Sequence, residues 1–330
     1  MKKYTIFLAS WLMVSGALLL GACHDKEKAY AKNDVVFKNL DISVHPGDDF
    51  FKYANGSWLK KNPIPAAYAA WGIGNVVEEE LRDRLKKINL QALSAHAKKG
   101  TNTQKIGDFY FSGMDTLDIE KRGLAPLSPE LARIDQVKNV GDLVDEFAHL
   151  QTIGVETPIA AGVGQDPKNS SKNMLQLYQG GLGMPNRDFY YNADRHSTTV
   201  RNDYQQKHLP IVYKLSGLTD AAANGASKQT YKLERFLADN SRKLEDLRDP
   251  YHNYNKMPLA GLTKLCPAIN WERTFEAMDY HKADTVIVGQ PEYYKALNNA
   301  LKLFTIDDWK NYLRKNLLTA FGFSLNKSID

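Results

Sequence analysis

Two cysteines in the chain, Cys23 and Cys266, leave no basis for a disulfide framework. No two of the eight histidines stand four residues apart, so no helix can present paired imidazoles to a zinc ion. A Gly-x-Ser-x-Gly elbow is missing, and so is any Cys/His set with the spacing of a thiol enzyme. The carboxylate groups Asp48-Asp49, Asp307-Asp308 and Glu78 to Glu80 fall at turns or helix starts, where capping accounts for them. The residues alone therefore assign no catalytic group and no metal ligand. The net charge of +5 includes Lys2 and Lys3 of the extreme N-terminus, and no basic run or aromatic-interleaved cationic stripe follows. That excludes nucleic acid as a partner. There is no internal repeat. "GGLGMP" is glycine-rich but lacks the Lys-Ser/Thr ending of a phosphate loop and reads as a tight turn.

What is present begins with an export segment. Lys2 and Lys3 precede an uncharged run from Tyr4 to Cys23 that ends "LLLGAC". A short basic region, an apolar core and small residues at the end are the grammar of a secretory signal. An uncleaved anchor helix is the plainer alternative, since the run nearly spans a bilayer. Leu20-Gly21-Ala22-Cys23 resembles the bacterial lipobox, which implies cleavage before Cys23, acylation of that residue and a soluble body held at a membrane of the bacterial cell envelope. On this reading residues 1–22 are signal peptide and 23–40 a polar tether. Cys266 is then unpaired and reads as a small buried residue.

The mature body reads as mainly α-helical with a few short β hairpins. Asn75 is placed to cap a helix through Leu93, with Glu78 in the reciprocal position and Val77, Leu81, Leu85, Ile88 and Ala92 as its apolar stripe. A second helix is expected from about Ser227 to Leu247, with Leu233, Phe236, Leu237, Leu244 and Leu247 inward and Pro250 as its stop. "TIDDWKNYLRKNLLTAFG" repeats the logic, with Thr305 as cap, Asp308 in the box position and Gly322 as terminator. Every stripe is read as core packing. "TPIAAGV" and "NMLQLYQ" suggest a hairpin across the turn-rich "GQDPKNSSK", and "DTVIVG" a strand before a helix opening at Pro291.

Six ordered blocks carry a family resemblance. "DDFFKYANGSWLKKNPIP" resembles the opening signature of the neprilysin, endothelin-converting-enzyme and bacterial endopeptidase O family of zinc metallopeptidases. "WGIGNVVEEEL", "IGDFYFSGMDT", "QGGLGMPNRDFYY", "YNKMPLAGL" and "VIVGQPEYYKAL" resemble its following stretches in the same order, from Asp41 to about Ala320. The resemblance implies a helical lid lobe (residues 66–330, incomplete) that admits only peptides, facing a catalytic zinc lobe across a cavity. Residues 41–65 would be an arm packed on the catalytic lobe, with Phe50, Phe51, Tyr53 and Trp58 as its anchors. The family's His-Glu-x-x-His, its downstream Glu ligand and its Asn-Ala-aromatic substrate grip do not occur in this chain.

The resemblance therefore implies zinc in a catalytic lobe that this chain lacks, and none held by the chain itself. The implied partners are peptides, the catalytic lobe of the same or a neighbouring chain, and a membrane through the lipid anchor. Animal members carry cysteines where this chain has Gly47, Asn55 and Gly113. Two arginines that hold a substrate's terminal carboxylate in neprilysin fall at Ala70 and Glu78, so the resemblance does not carry over a preference for short peptides with a free C-terminus. Ala70, Trp71, Asn75 and Glu78 are the candidate substrate-facing residues. "AFGFSLNKSID" leaves the family pattern, as a fragment, a shifted frame or a short paralogue would. Two functions are open: the substrate-sieving N-terminal part of a membrane-anchored metalloendopeptidase, inactive by itself, or a lipoprotein that binds peptides or a partner without cutting them.

Overall fold

The computed structural model describes residues 34–329. The signal segment, Cys23 and most of the tether lie outside them. The chain divides into two compact units between Gly113 and Met114.

Among the described residues the first unit holds the helices α1 (Val35–Asn39), α2 (Phe50–Lys61), α3 (Ile73–Ser94) and α4 (Asn102–Met114). Asp34 caps α1, so the end of the expected tether is helical rather than merely polar. The opening signature is a helix too. Asp49 caps α2 by accepting from the Lys52 N–H at 2.9 Å, and the chain turns away after Asn62 toward Pro63. Asp41 ties this helix down. Its N–H donates to the Tyr53 carbonyl at 2.7 Å, and its carboxylate takes the Ser43 hydroxyl at 2.5 Å and the Lys60 ammonium at 2.7 Å. Those bonds favour the charged form, Lys60 first, and hold the Asp41 pKa down to about 2. Helices α3 and α4 meet where Gly107 faces Ala92; a Cβ at Gly107 would lie 2.9 Å from the Ala92 carbonyl oxygen, so only glycine permits this approach.

The second unit opens with α5 (Thr116–Arg122), α6 (Ser128–Gln136) and α7 (Val140–Thr152), followed by the hairpin β1 (Ala160–Asp166) and β2 (Asn169–Tyr178). Then come α8 (Asp188–Tyr191), α9 (Arg195–Asp203), α10 (Leu209–Leu215), α11 (Asp220–Asp239) and α12 (Leu244–Leu247). The unit closes with β3 (Asn255–Pro258), α13 (Leu259–Leu265), α14 (Trp271–Ala277), β4 (Thr285–Val288), α15 (Pro291–Leu303) and α16 (Ile306–Phe321). The strands form one sheet in the order β1-β2-β4-β3, with β2 and β4 parallel and the other pairs antiparallel. Val286, Ile287 and Val288 are buried on both faces of β4, the usual state of a strand in the middle of a covered sheet. Leu143, Phe147 and Leu150 of α7, Trp271 and Phe275 of α14, Tyr293, Tyr294 and Leu297 of α15, and Trp309, Tyr312 and Leu313 of α16 pack the main core against it. A smaller cluster joins Met184, Tyr190, Tyr204, Leu209 and Tyr213.

The mainly helical class with short β elements is thus the fold observed, and the capping box of Thr305 and Asp308 forms as expected. Several local expectations differ. Helix α3 starts at Ile73 with Gly72 as its cap, and Asn75 sits three residues in, accepting from the Gly72 N–H at 2.9 Å. The expected helix from Ser227 to Leu247 breaks after Asp239, because Gln179 clamps Arg242 from both sides: its amide donates to the Arg242 carbonyl at 3.0 Å and its oxygen accepts the Arg242 N–H at 2.7 Å. Leu244 consequently stands exposed rather than inward. Most of "GQDPKNSSK" is strand, with the turn confined to Pro167 and Lys168. Among the described residues no helix is long and apolar enough to cross a membrane.

Candidate functional site

The four candidate substrate-facing residues lie at and before the start of α3. Ala70 is exposed, and Trp71 is half-buried against Tyr68, the ring centroids 4.7 Å apart and edge to face. The Tyr68 hydroxyl donates to the Glu79 carboxylate, while Glu78 pairs with Arg82 one turn on at 2.5 Å. Asn75 holds the helix start, as above. Each polar group here is engaged in fixing α3, and they offer neither a nucleophile nor a general base to a substrate. The four sit close together in the chain at the start of α3, with Asn75 and Glu78 taken up by local bonds.

The apolar stripe of α3 behaves unlike a core stripe. Val77, Leu81, Leu85 and Ile88 are 58%, 53%, 49% and 50% exposed, and only Ala92 at its end is buried. The expectation that this stripe is core packing is therefore wrong for this unit; the periodicity is real, but nothing among the described residues covers it. Phe50 and Phe51 on α2 and Phe109 on α4 are exposed as well, whereas Tyr53 and Trp58 are half-buried. Runs of apolar side chains left open to this extent mark surfaces that meet another body.

"GGLGMPNRDFYY" folds into a loop fixed by buried charge. Lys315 of α16 pairs with Glu234 of α11 at 2.8 Å, both side chains nearly inaccessible. The hydroxyls of Tyr190 and Tyr204 donate to the same carboxylate at 2.9 and 2.8 Å, and the Tyr190 oxygen accepts from the Gly183 and Met184 N–H groups. A Cβ at Gly183 would run into the Tyr204 hydroxyl, so the loop can sit on this network only through glycine. The turn reading holds, and its purpose is structural: an ion pair removed from water is tolerated because hydrogen bonds satisfy its remaining valences.

A third constellation escapes the sequence reading. Glu130 of α6 and Glu146 and His149 of α7 bring one potential ligand atom each within 4.8 Å of one another. His149 Nε2 lies 2.6 Å from Glu130 Oε2, and Arg133 Nη2 lies 3.2 Å from Glu146 Oε2. Burial raises the Glu146 pKa, against the pull of Arg133 and His149. The signal that could have found the group is Glu146-x-x-His149, whose spacing puts both side chains on one helical face. Glu130 is sixteen residues away on another helix and is joined to them only by folding.

The described residues thus form a mainly helical fold with a small mixed sheet, a glycine loop seated on a buried ion pair and an apolar helix face open to solvent. The family model described as Peptidase family M13 matches residues 46–330. The chain belongs to peptidase family M13 and corresponds to its N-terminal part. Among curated relatives, Neprilysin-3 of Drosophila melanogaster is 29% identical over 312 residues, covering 88% of this chain and 39% of that protein. Human endothelin-converting enzyme 1 is 26% identical over 293 residues, covering 86% of this chain and 38% of its own length. The zinc metalloprotease Zmp1 of Mycobacterium tuberculosis, solved with an inhibitor, superposes with a TM-score of 0.81 at 28% identity, over 88% of this chain and 44% of Zmp1. PepO of Lactobacillus rhamnosis shares the fold, with a TM-score of 0.67 at 17% identity. The chain therefore spans less than half the length of each of these proteins.

Proposed function

We propose that this chain is the substrate-admitting N-terminal part of a membrane-anchored zinc metalloendopeptidase that acts on peptides. The observation that carries the reading is the likeness to Zmp1, a zinc metalloprotease, over nearly the whole described chain. The residues present do not fit the family's catalytic zinc: they contain no His-Glu-x-x-His, and Glu130, Glu146 and His149 are differently spaced and drawn from two helices. No catalytic step is assigned to this chain. Its contribution is a wall and a docking face: the rim at Ala70, Trp71, Asn75 and Glu78 on the substrate side, and the exposed stripe of α3 with Phe50 and Phe51 as the surface that a zinc-bearing lobe covers. Burying the four stripe residues, each about half exposed, would contribute on the order of 1 kcal/mol apiece. The lipobox-like "LLGAC" supports anchoring through acylated Cys23 in the bacterial cell envelope.

The genomic sequence beyond and beside codon 330 tests this reading. A frame encoding His-Glu-x-x-His and a downstream Glu, whose product forms a one-to-one complex with this chain that cleaves peptides, is the expected result. The second reading, a lipoprotein that binds peptides or a partner without cutting them, is favoured by the extensive buried core of the second unit. It gains if no such frame exists and the chain alone is monomeric, with residues 41–65 resistant to protease.

A further inference from the structure

We propose that Glu130, Glu146 and His149 form a binding site for one divalent first-row transition-metal ion, an inference independent of the peptidase reading. The three ligand atoms lie within 4.8 Å of one another, on two helices that the fold brings together. Two features separate this group from an ordinary surface ion-pair network. First, Glu146 is 4% exposed, yet its Oε1 has no hydrogen-bond donor among the described residues. A buried carboxylate oxygen left without a partner is costly, and such atoms call for an explanation. The Arg133 guanidinium satisfies only Oε2. A cation seated between the helices would supply what Oε1 lacks.

Second, the donor set is chemically coherent. One imidazole and two carboxylates suit zinc or manganese better than calcium or magnesium, which take oxygen alone. Ligand atoms held at about 2.0–2.2 Å from a zinc ion stand about 3–3.5 Å apart. Metal binding would draw the ligand atoms in from their 4.8 Å spread and open the 2.6 Å contact between His149 and Glu130. The site is reachable. Glu130 and His149 keep about a quarter of their side-chain surface, and Glu146 also lines an open cleft of about 430 Å³. Three protein ligands would leave the remaining position to water.

Arg133 is the competitor. Its guanidinium lies 3.2 Å from Glu146 Oε2 and 3.8 Å from Glu130 Oε2, and about half of its side-chain surface is in solvent. Metal entry displaces it outward, so arginine and ion exclude each other and the arginine tunes the affinity.

The test titrates the full chain with Zn²⁺ by calorimetry and repeats the titration on three variants, with folding checked by circular dichroism. Wild type should bind one ion. His149→Ala and Glu146→Gln should each bind at least about tenfold more weakly, the lower end of the typical loss when an outer-shell partner of a metal is removed. Arg133→Gln should bind more tightly than wild type. Because Glu146→Gln alters a buried residue, a second readout is needed: Zn²⁺ should raise the melting temperature of wild type and Arg133→Gln but not of His149→Ala. Co²⁺ should give a visible absorption band that His149→Ala abolishes. If wild type and His149→Ala bind Zn²⁺ equally, or if neither shows metal-dependent melting, the site does not exist and the cluster is an ion-pair network alone.

Discussion

Single side chains in this protein report their surroundings with different clarity. Cys266 is fully buried, and desolvation pushes its thiol pKa up to about 12, so it is neither nucleophile nor redox sensor. Iodoacetamide should leave the Cys266 peptide unmodified in the native protein and label it fully in denaturant; fast labelling of the native chain would refute that assignment. Asp166 shows the opposite shift. Its side chain is 1% exposed, and the Lys256 ammonium at 2.9 Å with the Lys168 N–H holds its pKa down to about 2. A depressed carboxylate stabilises the fold above the unfolded pKa, near 4, and loses that contribution as pH falls from about 4 through about 2. Urea unfolding followed across that range should show a smaller acid-side loss of stability in Asp166→Asn than in wild type; identical slopes would place the acid sensitivity elsewhere. The ion pair of Glu234 and Lys315 belongs to a third kind. Glu234→Gln should lower stability by about 3–5 kcal/mol, because it leaves Lys315 charged and unpaired in the core. A loss under about 1 kcal/mol in chemical denaturation would mean that the lysine finds water.

At the scale of elements, the sequence was legible wherever local chemistry decides. Thr305 with Asp308, the β-branched run of β4 and Pro291 at the first position of α15 each state their element outright. Legibility failed where distant residues intervene. The break after Asp239 depends on Gln179, which no window around residue 240 contains. Strand β3 pairs Asn255 to Pro258 with β4, thirty residues on, and has no apolar alternation to announce it. The stripe of α3 is legible in the sequence, but a period of three to four reports an apolar face and not what covers it. That difference has a measurable consequence. Leu81→Ser with Leu85→Ser should cost the isolated chain at most about 1 kcal/mol per site, since half of each side chain is already in solvent. Leu233→Ala on α11, where the side chain is fully buried, should cost about 2–5 kcal/mol. The same double substitution should abolish association with a zinc-bearing lobe. Equal destabilisation by the two changes would mean that α3 is packed in solution.

For the whole molecule, the contrast between its two units is the feature that links fold to function. The second unit buries aromatic and aliphatic residues from seven or more elements in one continuous core. Among the described residues the first buries little beyond Asp41, Gly56, Ala92 and Gly107, and holds its helices by caps, the Asp41 bonds and one glycine crossing. Local stability follows buried contact, so the units should open at different free energies. Hydrogen exchange on the isolated chain should show α2 and α3 exchanging early, while α7, α15 and α16 stay protected to near the global unfolding limit. Adding a zinc-bearing lobe should slow α3 first, along the face of Val77, Leu81, Leu85 and Ile88, and leave α16 unchanged. If α3 is already as protected as α16 in the chain alone, its stripe is covered without a second lobe and the docking role proposed for it falls.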